Sequence, residues 1–245
     1  MDTAAGNDPG AENHDAAVER DARAEHRWPA VVALAVALIL YALLPSDILS
    51  VPLRFTMVGL AIVMLVPVVL LNPHRLRRQT TWSRWLSVGQ AVVLVVANQV
   101  ALVQLIFLLI SSGTKDGPSL LVAAVQVWVT NVIAFALVYW EIDRGGPVTR
   151  RHDARTELPS ADYRFAQDED HDAIDEVAAR SSARIDWTPS FVDYLYESAT
   201  NSMAFSPGAA MPLSPRIKGL MLVQAFGGFV MLALVIAHAV GQLGG

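Results

Sequence analysis

Five blocks of apolar residues, each long enough or nearly long enough to cross a bilayer, dominate this 245-residue chain and restrict what it can fold into. They run from Trp28 to Leu44, from about Val51 to Leu71, from about Trp85 to Ile110, from Leu120 to Trp140 and from Ile217 to Val240. A helix needs about 20 apolar residues to cross roughly 30 Å of hydrocarbon, so the first block sits at the lower limit and the third has length to tilt. Hydrophobic residues make up 53% of the chain and charged ones 17%, with the charges gathered between the blocks. That distribution belongs to a polytopic membrane protein rather than to a soluble core. The expected fold class is therefore all-α, with about five transmembrane helices and a short helix before the last one.

The organisation follows from the same blocks. Residues 1–27 read as a disordered cytoplasmic tail and not as a secretory signal peptide, since they are polar and lack an apolar run. Residues 28–140 form a four-helix transmembrane region, 141–187 a polar, acidic cytoplasmic loop, and 188–245 a short helix and loop followed by the C-terminal span. Arginines set the orientation. With the N-terminus inside, the inner segments hold Arg20, Arg23, Arg27, Arg75, Arg77, Arg78, Arg84, Arg144, Arg150, Arg151, Arg155, Arg216 and Lys218, against Arg54 and Lys115 outside. The expected location is a bacterial inner membrane, with the lipid bilayer as the main partner and no nucleic acid.

Several chemistries are excluded. The chain has no cysteine, which removes disulfides, thiolate catalysis and cysteine-ligated metals. It has no Gly-rich phosphate loop, no His-Glu-x-x-His, no serine in a nucleophile elbow and no paired histidines at helical spacing, so no enzyme, cofactor or metal site is expected. The acidic run "QDEDHDAIDE" (Gln167 to Glu176) reads as a solvated charge run, lacking the spacing and turn glycine of a calcium loop. Amides and small residues recur on span faces: Gln90, Asn98 and Gln104 in span three, Gln126, Thr130 and Asn131 in span four, and Gln224 and His238 in span five. These are read first as helix-packing hydrogen bonds and second as the lining of a polar cavity.

The segment "DYLYESATNSMAFSPGAAMP" (Asp193 to Pro212) fits neither a span nor an ordinary loop. Thr188 and Pro189 make a helix start, with a hydroxyl cap and a proline at the first helical position. The helix from there to about Asn201 is too short and too polar to cross. Phe191, Leu195 and Ala199 share one side, while Asp193, Glu197 and Thr200 share another. It has two physical outlets: an interfacial helix in the headgroup plane, or a re-entrant helix buried against the spans.

This segment resembles the C-terminal signature of a bacterial membrane family known as domain of unknown function 1345, Asp-aromatic-Leu/Ala-Tyr-x-Ser-x-Thr-x-x-Met-x-Phe. Asp193, Tyr194, Leu195, Tyr196, Ser198, Thr200, Met203 and Phe205 occupy the pattern, with Ser202 and Ser206 where the pattern has Gly and Gln. The likeness extends to "NPHRLRRQTTWSRW" (Asn72 to Trp85) and "LVYWEIDRGG". More distantly, the order of span, loop, short helix, Thr-led stretch and glycine-bearing last span is similar to the pore loop of tetrameric cation channels. No glycine occurs from Thr200 to Pro207, so the potassium-filter geometry is not expected. The likeness implies a homo-oligomer that passes a monovalent cation, with Asp193, Tyr194, Tyr196, Glu197, Ser198, Thr200, Asn201, Ser202, Met203 and Phe205 as candidate pore-loop residues. The alternative is a non-conducting membrane scaffold that binds a protein partner through its cytoplasmic loop and tail.

Overall fold

The computed structural model of the chain describes residues 25–46, 48–71, 81–111, 117–204, 208 and 210–243. Apart from one two-stranded ribbon, its regular structure is helical. The apolar blocks become α1 (Trp28–Leu43), α2 (Val51–Leu71), α3 (Thr81–Ser111), α4 (Gly117–Ile142) and, last in the chain, α9 (Pro215–Leu243). Three helical stretches, Trp82–Ile110, Pro118–Gly145 and Pro215–Gly241, are long and apolar enough to cross a membrane, and the shorter apolar stretches Trp28–Leu43 and Val51–Val66 lie beside them.

The boundaries have local causes. Pro29 stands in the first turn of α1, and Leu44, the residue before Pro45, has left the helical region with ψ 142°. Ser214 caps α9 by accepting the Ile217 N–H at 3.3 Å, with Pro215 at the first helical position. At the end of α4 the sequence Asp143-Arg144-Gly145-Gly146 reverses the chain through left-handed backbone, φ 50°, 80° and 97° at residues 144 to 146. A Cβ on Gly145 would stand 2.8 Å from the Thr149 methyl, so glycine is required there for space as well as for φ.

α4 is the centre of the bundle, packed by α1, α3, α9 and a shorter helix, α8 (Phe191–Ala204). Consequently Asn131 to Trp140 are buried on every face. α9 is the opposite case: Leu222, Phe226, Phe229, Leu232, Ile236 and Val240 all stay exposed. Outward apolar surface of that extent is rare on a protein facing water and ordinary on one facing lipid or further protein.

Between α4 and α8 the chain forms a small cap rather than an open loop. It holds the short helices α5 (Thr149–His152), α6 (Asp175–Ala178) and α7 (Ser182–Ile185) and the strand β1 (Tyr163–Phe165). β1 pairs antiparallel with β2 (Ala210–Pro212), opposing Tyr163 to Pro212 and Phe165 to Ala210. An isolated two-stranded ribbon is marginal in water. Here it is backed by a ring cluster in which Phe165 packs edge-on to Tyr194 (5.5 Å) and Trp187 (5.6 Å), and Tyr163 to Tyr139 (5.5 Å). The acidic run at the rim of the cap leaves residues 171 to 177 exposed, while Asp168 turns inward to pair with Arg144 at 2.5 Å.

Candidate functional site: a helix laid along the central span

α8 begins at Phe191, three residues later than Thr188, where the sequence places a helix start. The physical reason is competition for the preceding backbone. The Thr188 carbonyl accepts from Arg151 at 3.0 Å and the Pro189 carbonyl from Arg150 Nε at 3.1 Å, which holds residues 186 to 190 out of helical structure. The working cap is Asp193, whose carboxylate accepts both the Ser190 N–H (2.7 Å) and the Ser190 hydroxyl (2.8 Å). It reaches back to the backbone just before the helix, as the acidic member of a capping box does.

From that start α8 runs antiparallel to α4. Phe191 packs edge-on to Trp140 at 5.8 Å, and the Ser198 hydroxyl donates to the Val132 carbonyl at 2.8 Å, two turns further in. Along α9 the course is parallel: Asn201 Nδ2 donates to the Met221 carbonyl at 3.1 Å, and Ser202 lies against Gly228. A Cβ on Gly228 would come within 3.1 Å of the Ser202 carbonyl oxygen, so the glycine sets how closely the two helices approach. The helix therefore lies along the long apolar helices α4 and α9, not across their ends.

Its buried face is the polar one. Tyr194, Glu197, Ser198, Asn201 and Ser202 are buried, whereas Val192, Tyr196 and Met203 are exposed. Of the apolar side that the sequence spacing groups together, Phe191 is buried and Leu195 and Ala199 only half so. The burial of this face has an electrostatic cause, since Tyr194, Glu197, Ser198 and Asn201 find partners there that an apolar exterior would deny them. Gln224 of α9 is the hub of those partners. Its Oε1 accepts from Tyr139 (2.8 Å) and Asn201 (2.9 Å), and its Nε2 donates to the Ser198 hydroxyl (2.7 Å) and carbonyl (3.0 Å). Replacing Gln224 by Leu is expected to strip partners from the Tyr139 hydroxyl and the Asn201 amide and to lower stability in SDS titrations by about 2 kcal/mol, the upper range for interhelical hydrogen bonds in lipid. A change under about 0.5 kcal/mol would show that the hub is not formed.

At its inner end the chain turns back. Glu197, with no exposed surface, accepts the Ala210 N–H at 3.0 Å and the Gly208 N–H at 3.3 Å, so the returning backbone is clasped to the helix it has just left. Gly208 touches the Thr200 side chain so closely that any Cβ there would clash. Thr200 itself bonds back to the Tyr196 and Glu197 carbonyls, each at 3.0 Å. Phe205, the last residue of the family pattern, lies outside the described residues, as do the tail before Glu25 and Arg75, Arg77 and Arg78.

Above the hairpin, residues that sequence reasoning did not single out hold the assembly. Asp143 accepts from the Tyr194 hydroxyl (2.5 Å) and the Asp162 N–H (2.7 Å). Asp162 in turn pairs with Arg216 at the start of α9, with Nε at 2.7 Å. Arg150 is wholly buried and also donates to the Trp140 carbonyl at 2.7 Å. Glu25, before α1, accepts the Phe191 N–H at 2.6 Å and the Trp140 indole N–H at 3.2 Å. In the sequence Arg144, Arg150 and Arg216 read only as orientation charges, and no local spacing reveals their partners. Burial pushes the Tyr163 phenol far above its ordinary value, with Tyr139 and Glu197 adding in the same sense, so it stays neutral at any physiological pH.

Amides of α3 also pair with neighbouring helices: Gln90 donates to the Ala61 carbonyl of α2 (2.9 Å), Asn98 to the Thr130 hydroxyl of α4 (2.8 Å) and Gln99 to Asn131 of α4 (3.3 Å). The arrangement is thus a helical bundle with a hairpin helix held by buried polar groups between its central and last long helices. No family model, no curated protein and no solved structure matches the chain.

Proposed function

We propose that the protein is a channel-like membrane protein, a five-span chain of a bacterial inner membrane with its N-terminus in the cytoplasm, whose copies assemble around an axis and pass a monovalent cation. Kinship with domain of unknown function 1345, through residues 193 to 205, is part of the same proposal. One observation carries the reading: α8 descends along α4 and the chain returns within a few residues, clasped by Glu197. Ser202 is eleven residues beyond Phe191, about 16 Å at 1.5 Å per residue, or roughly half the hydrocarbon thickness. A hairpin that ends at that depth between spans is the form in which irregular backbone is tolerated inside a membrane, buried in protein or lining a water-filled path. The exposed apolar face of α9 and the outward Val192, Tyr196 and Met203 of α8 supply surface for neighbouring copies.

The test combines flux with access. In liposomes the purified protein is expected to dissipate a potassium or sodium gradient, and Thr200→Val to reduce that flux at least about threefold through loss of one polar contact of about 0.7 kcal/mol or more. A cysteine placed at 201 or 202 should resist membrane-impermeant thiol reagents from the cytoplasmic side, while one at 171 labels freely. A monomer in mild detergent that carries no flux would overturn the reading. It would favour the non-conducting interaction protein, for which the exposed Ile174, Val177 and Ile185 among the carboxylates of the cap offer a binding surface.

A further inference from the structure

Beside the tip of α8, where it meets α4 and α9, is a cavity of about 320 Å³. Ala124 and Trp128 line it from α4, Ser202 and Met203 from α8, and Met231 and Val235 from α9. No charged side chain lines it, and Val125 and Leu232 in its wall are exposed. Ser202 is the polar exception in this wall. It is 4% exposed, and its hydroxyl has no hydrogen-bond partner among the described residues, in a helix where Ser198, Asn201 and Glu197 are all bonded. That hydroxyl points at the notch left by Gly228, another residue of the cavity wall, where an added Cβ would lie 3.3 Å away.

We infer that this cavity is a binding site for a neutral, membrane-partitioned molecule that carries a hydrocarbon body and one hydroxyl or carbonyl group. The size argument is direct: pockets for small ligands begin near ~300 Å³, and a dry apolar cavity of ~150 Å³ already takes up benzene. Neutrality follows from the uncharged wall, because a charged headgroup at this depth would meet no counter-charge. The single polar group follows from Ser202, whose unpaired hydroxyl gains a partner from a bound alcohol or carbonyl and none from a lipid tail. Trp128, Met203 and Met231 cover the hydrocarbon, and the two methionines adapt to its shape. A bound molecule packs directly on the tip of α8. This site does not depend on whether the protein conducts.

Photolabelling of the intact protein in lipid nanodiscs tests it, using an eight-carbon alcohol that carries a diazirine and the matching alkane. Adducts of the alcohol should concentrate on Trp128, Met203 and Met231, and excess 1-octanol should suppress them. Ser202→Ala should cut alcohol labelling about fivefold, the worth of one hydrogen bond, and leave the alkane unchanged. Ala124→Phe should abolish labelling by filling the cavity; should that variant melt early, Val235→Phe fills it from the opposite wall. Equal labelling by alcohol and alkane, spread over Leu222, Phe226 and Phe229, would mean ordinary lipid coverage and would overturn the proposal. So would labelling that persists in a correctly folded filled variant.

Discussion

Replacing Arg150 by Met is expected to lower stability by about 3–5 kcal/mol, the usual cost of breaking a buried, hydrogen-bonded charge site from one side. The side chain has no exposed surface; its Nη1 donates to the carbonyls of Trp140 and Asp143 at 2.7 and 3.2 Å, and its Nε to that of Pro189 at 3.1 Å. Its guanidinium also lies 4.9 Å from the Tyr194 ring and 3.9 Å from the Glu25 carboxylate. Methionine fills much of the volume, yet it strands those carbonyls and removes the guanidinium beside Glu25. Lysine keeps the charge but not the planar fork, so Arg150→Lys should recover less than half of the loss. Thermal or SDS denaturation reads the effect, and the double variant Glu25→Gln with Arg150→Met should fall short of additivity, because it removes the stranded carboxylate. A loss below about 1 kcal/mol would show that the contacts around Arg150 do not form.

Glu197→Ala should release the returning strand. The carboxylate is the acceptor for the Gly208 and Ala210 N–H groups, and hydrogen bonds to a charged acceptor contribute about 1.5–3 kcal/mol each in water-soluble proteins. Interhelical bonds in lipid measure smaller, so a loss of about 2–4 kcal/mol in total is expected. The more specific readout is amide exchange. Protection at Ala210 and Leu213 should drop by tenfold or more, since β2 loses its hold on α8 while the register with β1 remains as its main support. Glu197→Gln keeps one acceptor oxygen and should lie between wild type and alanine. Unchanged exchange in Glu197→Ala would mean that pairing with β1 alone fixes the return.

Several contacts that hold the site are ones that no window of sequence displays. The Glu25 bond to Phe191 spans 166 residues, and Tyr139 meets Gln224 across 85. The basic residues after α4 were legible as a charge bias, which is a property of composition and position. That Arg150 enters the protein while Arg155 stays at the surface depends on where the α4 turn and the extended run before α8 come together. Which face of α8 turns inward is undecided by the sequence for a related reason. Hydrophobic periodicity presumes water outside and an apolar core inside, whereas around α8 the polar partners, Gln224 and the Val132 carbonyl, are on the inside.

What the sequence determined by itself is the set of long apolar helices and several of their ends. Apolar blocks, Pro29, Pro45, Pro215, Ser214 and the Asp143-Arg144-Gly145-Gly146 turn act within one or two helical turns, so their effect can be read locally. Tertiary structure alone decided that α4 is the buried centre, that the loop after it folds into a cap, and that α8 lies along α4 and α9 with its polar face inward. Those outcomes depend on partners tens to hundreds of residues apart. A buried amide or carboxylate has no preferred neighbour until the chain has closed around it, and its need for one then selects among packings that local sequence leaves equal.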